Sequence, residues 1–135
     1  MAKTILLVDD DRDLTESLER VLRTHRYEVA VAHSASEGLR VALRIKPDLI
    51  VLDVSMETDT AGFEFVGMVR SPRETSRYRE IRHVPIVLLT AINQVTNSRF
   101  SLDDRQSFLP QVTGMLTKPV TIEALLDRVK QVLVC

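Results

Sequence analysis

The chain has little of three features that would place a protein in a class at once: cysteine, long apolar runs and excess charge. Its only cysteine is Cys135, which excludes an internal disulfide and agrees with a reducing compartment. No apolar run approaches the roughly 20 residues of a membrane-spanning helix. The run after Lys3 stops at Asp9, too early for a secretory signal. We therefore expect a soluble, cytoplasmic protein with no membrane partner.

The chain also lacks an excess of charge of either sign. The 18 basic and 19 acidic residues nearly cancel, so the chain creates no long-range field that would attract nucleic acid. The glycine fingerprint of dinucleotide-binding proteins is absent after the first apolar run. The histidines, His25, His33 and His83, share no ligand spacing, which favours surface positions over zinc binding. We expect no direct contact with nucleic acid.

What the chain does have is a regular alternation of short β-type runs and helical segments. The strand candidates are Thr4–Val8, Glu28–Ala32, Leu49–Leu52, Ile86–Leu89 and Met115–Thr117. This alternation predicts βαβ units around a parallel sheet, and the nearly continuous apolar character of the first, third and fourth runs is typical of strands covered on both faces. At 135 residues the chain fits one domain. We predict a single α/β domain over residues 1–135 with helices on both faces of the sheet.

Helix starts are marked by capping residues. Either Asp11 or Asp13 can cap the first helix, Ser34 and Glu37 have capping-box spacing at the second, and Thr121 is the predicted N-cap of the last. A third helix is predicted from about Gly62 to Arg70 and a fourth within Asp103–Gln111. The apolar stripe of the last helix comprises Ile122, Leu125, Leu126, Val129, Val132 and Leu133.

Four polar sites follow the predicted strands. The acids Asp9–Asp11 follow the first strand, Asp53 closes the third, Thr90 follows the fourth and Lys118 follows the fifth. Because parallel strands present their carboxyl ends at one edge, where open α/β sheets bind ligands, we expect these residues to be neighbours in space.

Such a group has the parts that phosphoryl transfer to a carboxylate requires. Asp53 is the candidate nucleophile, since a carboxylate is ionised at neutral pH. Mg²⁺ prefers oxygen ligands from one or two carboxylates, and Asp10 and Asp53 meet that demand. The backbone carbonyl of Ser55 is a candidate third ligand, and Asp9 is expected to act through a bound water.

Lys118 and Thr90 complete the candidate site. The ammonium of Lys118 can pair with Asp53 at rest and with a phosphoryl oxygen afterwards, and the Thr90 hydroxyl can donate to a phosphoryl oxygen. Pro119 follows Lys118 directly, and the sequence leaves the isomer of that peptide bond open.

Simpler structural roles exist for each residue alone. The acids from Asp9 to Asp11 could cap the first helix, and Asp53 could be the polar end of a buried strand with Lys118 as its ion-pair partner. Thr90 could be an ordinary β-branched strand residue. These roles explain the residues one at a time, whereas the functional reading explains all four sites together.

The motifs Val8-Asp9-Asp10, Asp53, Thr90-Ala91 and Lys118-Pro119, in that order, resemble the response-regulator receiver domain of two-component signalling. The resemblance implies a flavodoxin-like sheet with strand order 2-1-3-4-5. It also implies Mg²⁺-dependent transfer of phosphate to Asp53 from a sensor histidine kinase or phosphotransfer protein. The expected outcome is a change in binding to an unknown downstream protein, without turnover of a separate substrate and without an output domain in this chain.

The chain departs from the receiver pattern in two places. Met115 stands three residues before Lys118, where the family has an aromatic residue whose rotation is coupled to the threonine, and Glu57 stands where the family often has proline. Two alternatives therefore remain. One is a static receiver-like interaction module. The other is an aspartate-nucleophile phosphatase, which is expected to have an acidic residue as its general acid two residues after the nucleophile, where this chain has Ser55.

Overall fold

Five parallel strands form the centre of the molecule in the order β2-β1-β3-β4-β5. The computed structural model describes residues 2–54, 56, 61–91 and 112–133. The strands are β1 (Thr4–Val8), β2 (Glu28–Ala32), β3 (Leu49–Asp53), β4 (Ile86–Ala91) and β5 (Gly114–Lys118). Every neighbouring pair is parallel. The predicted fold class and strand order are confirmed.

Helices cover both faces of this sheet. They are α1 (Arg12–Thr24), α2 (Ala35–Ile45), α3 (Ala61–Val69) and α4 (Ile122–Val132), with a short 3-10 turn at Arg79–Ile81. Helices α1 and α4 pack on one face, and α2 and α3 pack on the other. The α4 helix is the last of the predicted helices, whereas the one predicted within Asp103–Gln111 lies outside the described residues. None of the described helices is long and apolar enough to cross a membrane.

The central strands are apolar along their whole length because both of their faces are covered. In β1, Leu6 and Val8 point into the core under α2 and α3, while Ile5 and Leu7 point into the core under α1 and α4. Alternate side chains of a strand face opposite sides of the sheet, so neither face tolerates a polar residue. This packing fixes the register of the strand ends, and with it the position of any side chain that follows them.

Capping side chains begin the helices where the sequence predicts. Asp11 caps α1 by accepting a hydrogen bond from the N–H of Leu14 at 3.0 Å. Ser34 caps α2, with its Oγ accepting from the N–H of Glu37 at 3.1 Å. Thr121 caps α4. Of the two acids that could have capped α1, Asp11 is the one that does.

Two details of the predicted helices differ from the structure. Ile122, predicted within the buried stripe of α4, is 41% exposed, because it stands in the first turn, ahead of the part of the helix that packs on the sheet. Thr15 of α1 is a polar residue, which would be expected to face solvent, yet it is 2% exposed. Its hydroxyl donates to the carbonyl of Arg12 at 3.1 Å, which satisfies the group locally and allows its burial.

The end of α1 supports a prediction about stability. Arg26 has a φ of 70°, in the left-handed region, and the turn is closed by the N–H of Tyr27 donating to the carbonyl of Leu22 at 3.2 Å. Glycine usually occupies this position, because a Cβ costs about 1 kcal/mol or more there. We expect Arg26→Gly to raise the free energy of unfolding by about 0.5–1 kcal/mol, after the extra chain entropy of glycine is subtracted. Urea denaturation measures the change.

Arg26→Ala is the matched control for this substitution. It removes the same exposed side chain but keeps the Cβ, so no stabilisation is expected. An equal gain in both variants would show that the arginine side chain, rather than the backbone conformation, is responsible.

Candidate functional site

The carboxyl ends of β1, β3, β4 and β5 meet at one edge of the sheet and carry the four predicted polar sites. Asp53 is the last residue of β3 and pairs with Leu89 of β4, while Thr90 pairs with Thr117 of β5. Lys118 is the last residue of β5, and Asp9 directly follows β1. Sheet register alone therefore brings together residues that are far apart in sequence.

Three carboxylates converge at this edge. Asp9, Asp10 and Asp53 each offer an oxygen atom, and these atoms lie within 4.8 Å of one another. Asp9 is 2% exposed and Asp53 is 4% exposed, whereas Asp10 lies at the surface. The cluster is thus a recess with two buried acids inside and one acid at its mouth.

Asp9 is held in place through one oxygen, and its other oxygen pairs with Lys118. Its Oδ1 accepts a hydrogen bond from the N–H of Asp11 at 2.9 Å. Its Oδ2 is buried and forms an ion pair with Lys118, whose Nζ lies 3.0 Å away. A carboxylate oxygen has more than one lone pair, so an oxygen paired in this way can still face a cation.

Lys118 pairs with both buried acids. In addition to Asp9, its Nζ lies 3.4 Å from Oδ1 of Asp53, and its side chain is 24% exposed. Burial alone would lower the pKa of Lys118, but the polar contact with Asp9 and the charges of Asp53 and Asp9 outweigh it, and the net pKa is raised. A raised lysine pKa stabilises the fold at every pH below the ordinary lysine pKa. That contribution is lost only as the pH rises through the folded-state pKa. Lys118 is therefore charged at neutral pH.

Of the remaining predicted residues, the structure describes some and leaves others outside the described ranges. Thr90 is 3% exposed at the end of β4, and the peptide bond between Lys118 and Pro119 is cis, which settles the isomer. Met115 is partly buried and packs against the core under α2 and α3. Ser55 and Glu57 lie outside the described residues, so the proposed carbonyl ligand at Ser55 stays a prediction.

The structure adds one residue that the sequence reading placed at the surface. His33 directly follows β2 and is partly buried, and its Nδ1 lies 3.0 Å from the backbone carbonyl oxygen of Asp9. The signal was available, because β2 ends at the same edge as β1. A position at the carboxyl end of a strand is the criterion that predicted Asp9, Asp53 and Lys118 as site residues, and it applies to His33 as well.

Comparison with known proteins identifies the family. The profile described as response regulator receiver domain matches residues 5–130. The chain belongs to the response regulator receiver domain family. Members of this family are signalling modules of two-component systems, they interact with histidine kinases, and they bind Mg²⁺ at an acidic pocket.

Relatives of this receiver domain include two curated proteins. It is 37% identical over 130 residues to the transcriptional regulatory protein PrrA of Mycobacterium tuberculosis, covering 96% of this chain and 49% of that protein. It is 35% identical over 134 residues to the response regulator MprA of Mycobacterium ulcerans, covering 98% of this chain and 51% of the relative. The chain spans about half the length of these curated relatives.

Solved structures include a response regulator whose entire chain is matched by this receiver domain. The chemotaxis response regulator CheY4 of Vibrio cholerae is 31% identical, with a TM-score of 0.75. The match covers 98% of this chain and 100% of that one. The cluster of acids therefore lies in a receiver fold.

Proposed function

We propose that this receiver domain accepts a phosphoryl group on Asp53 from a sensor histidine kinase or phosphotransfer protein, and that the modified form changes its protein contacts. One observation carries the proposal. The carboxylate of Asp53 is buried beside Asp9, Asp10 and the ammonium of Lys118, at the edge where parallel sheets place their ligand sites.

The transfer is a substitution at phosphorus. An oxygen of the Asp53 carboxylate forms a bond to phosphorus, and the bond from phosphorus to the donor's imidazole nitrogen or acyl oxygen breaks. The electron pair of that bond leaves with the donor, and Asp53 becomes an acyl phosphate. No base is needed, because the carboxylate already carries its charge at neutral pH.

The donor set fits Mg²⁺. Asp10 and Asp53 would hold the ion directly, the carbonyl of Ser55 would supply a third ligand and Asp9 would act through a bound water. The clustering of three carboxylates, each with an oxygen within 4.8 Å of the others, agrees with this assignment. The ion, when bound, neutralises charge on the transferring phosphoryl group.

Lys118 and Thr90 would stabilise the product. The Lys118 ammonium, now shared between Asp9 and Asp53, would move its pairing to a phosphoryl oxygen. The Thr90 hydroxyl would donate to another oxygen of the same group. Because Met115 rather than an aromatic residue packs in β5, we propose that the signal is transmitted by repacking of a flexible thioether side chain.

The test is labelling of the purified protein with acetyl phosphate, read by intact mass. We expect one added phosphoryl group that requires Mg²⁺ and is released by hydroxylamine, as an acyl phosphate should be. A label that forms equally with chelator present, or one that resists hydroxylamine as a phosphoester of serine or threonine does, would contradict the proposal.

The same preparation separates the two alternatives. An aspartate-nucleophile phosphatase would turn over an unrelated phosphoester many times, which the proposed signalling role excludes. A static interaction module would show backbone amide shifts confined to the pocket when a phosphoryl mimic is added. A switch would show shifts that extend to Met115. Cytoplasmic location and lack of nucleic-acid contact stay predictions.

A further inference from the structure

His33 makes a contact that the proposed phosphoacceptor chemistry does not use. Its Nδ1 lies 3.0 Å from the backbone carbonyl oxygen of Asp9. A carbonyl oxygen can only accept, so Nδ1 must carry the proton and donate. The same ring nitrogen is protonated in both the neutral tautomer that makes this contact and the imidazolium form, so the hydrogen bond exists in either state.

The contact fixes the peptide that joins two of the acids. The N–H of Asp9 donates to the carbonyl of Ala32 at 3.0 Å, and the Asp9 carbonyl accepts from His33. That carbonyl belongs to the planar peptide unit between Asp9 and Asp10. Both sides of the Asp9 backbone are therefore held against the end of β2, and the orientation of the Asp9–Asp10 peptide is set from outside the loop.

Asp10 depends on this arrangement more than Asp9 does. The carboxylate of Asp9 is held by the N–H of Asp11 at 2.9 Å. Asp10 is exposed, and within the described residues its side chain has no hydrogen bond or ion pair. Where the Asp10 carboxylate lies is therefore decided by its backbone. The Asp9 carboxylate restrains the peptide that follows Asp10 through the N–H of Asp11, and His33 restrains the peptide that precedes Asp10 through the carbonyl of Asp9.

His33 is itself held by the start of α2. The backbone N–H of His33 donates to Oε1 of Glu37 at 2.8 Å, while the backbone N–H of Glu37 donates to Oγ of Ser34 at 3.1 Å. The carboxylate of Glu37 thus reaches one residue beyond the usual partner in a capping box, which is the N-cap itself. The link from α2 to the acids is continuous, from Glu37 through His33 to the peptide of Asp9.

We propose that His33 is a positioning residue for the metal site, one that orients the Asp9–Asp10 peptide so that Asp10 faces the ion. The inference rests on the proposed function, because it concerns the same Mg²⁺ site. Partners that orient metal ligands in this way commonly change metal affinity 10- to 100-fold when they are removed.

The experiment measures Mg²⁺ affinity from backbone amide shifts in three variants. His33→Phe keeps a ring but removes the donor, and we expect its Kd to rise about tenfold. His33→Asn places an amide nitrogen the same number of bonds from Cβ as Nδ1, and we expect it to restore most of the affinity. His25→Phe is the matched control. Nδ1 of His25 also lies 3.0 Å from a backbone carbonyl, that of Val21, but His25 is an exposed residue directly after α1.

A second readout needs no metal. Nitrogen spectra of the His33 ring in the metal-free protein should show a protonated, hydrogen-bonded Nδ1. An unchanged Kd in His33→Phe, a His33→Asn variant no better than His33→Phe, or a ring protonated only at Nε2 overturns the proposal. These failures are distinct from failure of the proposed function, in which the wild-type protein gives no saturable Mg²⁺ response and the role of His33 falls with it.

Discussion

Replacing Asp53 by asparagine is expected to abolish labelling by acetyl phosphate while leaving the fold intact. An amide oxygen is neutral and cannot form the acyl phosphate, so the label should fall to background even with Mg²⁺ at saturation. Intact mass and peptide mapping measure the loss. The effect is the largest that a single substitution should produce, because Asp53 would carry the covalent bond itself.

Stability should change little in the same variant. The substitution removes the attraction between Asp53 and Lys118, whose charged atoms are 3.4 Å apart, and it also removes repulsion from the neighbouring acids. These effects have opposite signs, so we expect the free energy of unfolding to stay within about 1 kcal/mol of the wild type. Loss of labelling can then be attributed to chemistry rather than to unfolding.

Two further substitutions act as controls for Asp53→Asn. Asp13→Asn removes an exposed acid in the first turn of α1 and should label as the wild type does. Asp10→Asn should keep the nucleophile but weaken Mg²⁺ binding by at least about tenfold, so its labelling should recover at high Mg²⁺. A label that persists in Asp53→Asn, or maps to another residue, would refute the assignment.

Gly62→Ala is expected to damage both the fold and the site. A Cβ at Gly62 would lie 2.6 Å from the backbone oxygen of Asp53 and 2.6 Å from Cα of Val54. Both are backbone atoms, so the strain cannot be relieved by a side-chain rotation. We expect a loss of about 2–3 kcal/mol in the free energy of unfolding, measured by urea denaturation.

Labelling should slow as well, because the displaced backbone is that of the proposed phosphoacceptor. A shift of even 1 Å in a reacting group can reduce a rate on the order of a hundredfold. The rate should be measured at a temperature where circular dichroism shows the variant to be folded. A folded Gly62→Ala that labels at the wild-type rate would show that the end of β3 adapts without moving Asp53.

The same helix supplies the matched control. Gly67 also lies within α3, but a Cβ built there meets nothing within 4 Å. Gly67→Ala should therefore stabilise the protein by about 0.5–1 kcal/mol through helix propensity alone, with labelling unchanged. Opposite signs for the two substitutions are the expected result, and equal effects would mean that the close approach of α3 to β3 does not matter.

The sequence predicts this fold well because its strongest signals are long and redundant. Apolar runs covered on both faces can only be inner strands, and the helices between them require parallel pairing. The edge that gathers Asp9, Asp53 and Lys118 then follows from topology, without any information on side-chain angles. Their proximity was predictable for this reason, although their roles remain proposals.

What the sequence could not give depends on tertiary detail. Periodicity placed Ile122 in the buried stripe of α4, but a period does not tell where a helix passes beyond the sheet. The ring orientation of His33, the burial of Thr15 and the isomer of the Lys118–Pro119 bond are likewise set by neighbours that no local pattern describes.

The charges in the recess have a consequence for ion selectivity. Among the described residues of this cluster, three carboxylates stand beside the one ammonium of Lys118, a formal balance of two negative charges in a partly buried space. One divalent cation would neutralise this charge, whereas two sodium or potassium ions would be needed to do the same. Ordinary physiological salt should therefore compete poorly for this recess, and the metal-free protein should hold its aspartates at an electrostatic cost that a doubly charged ion removes.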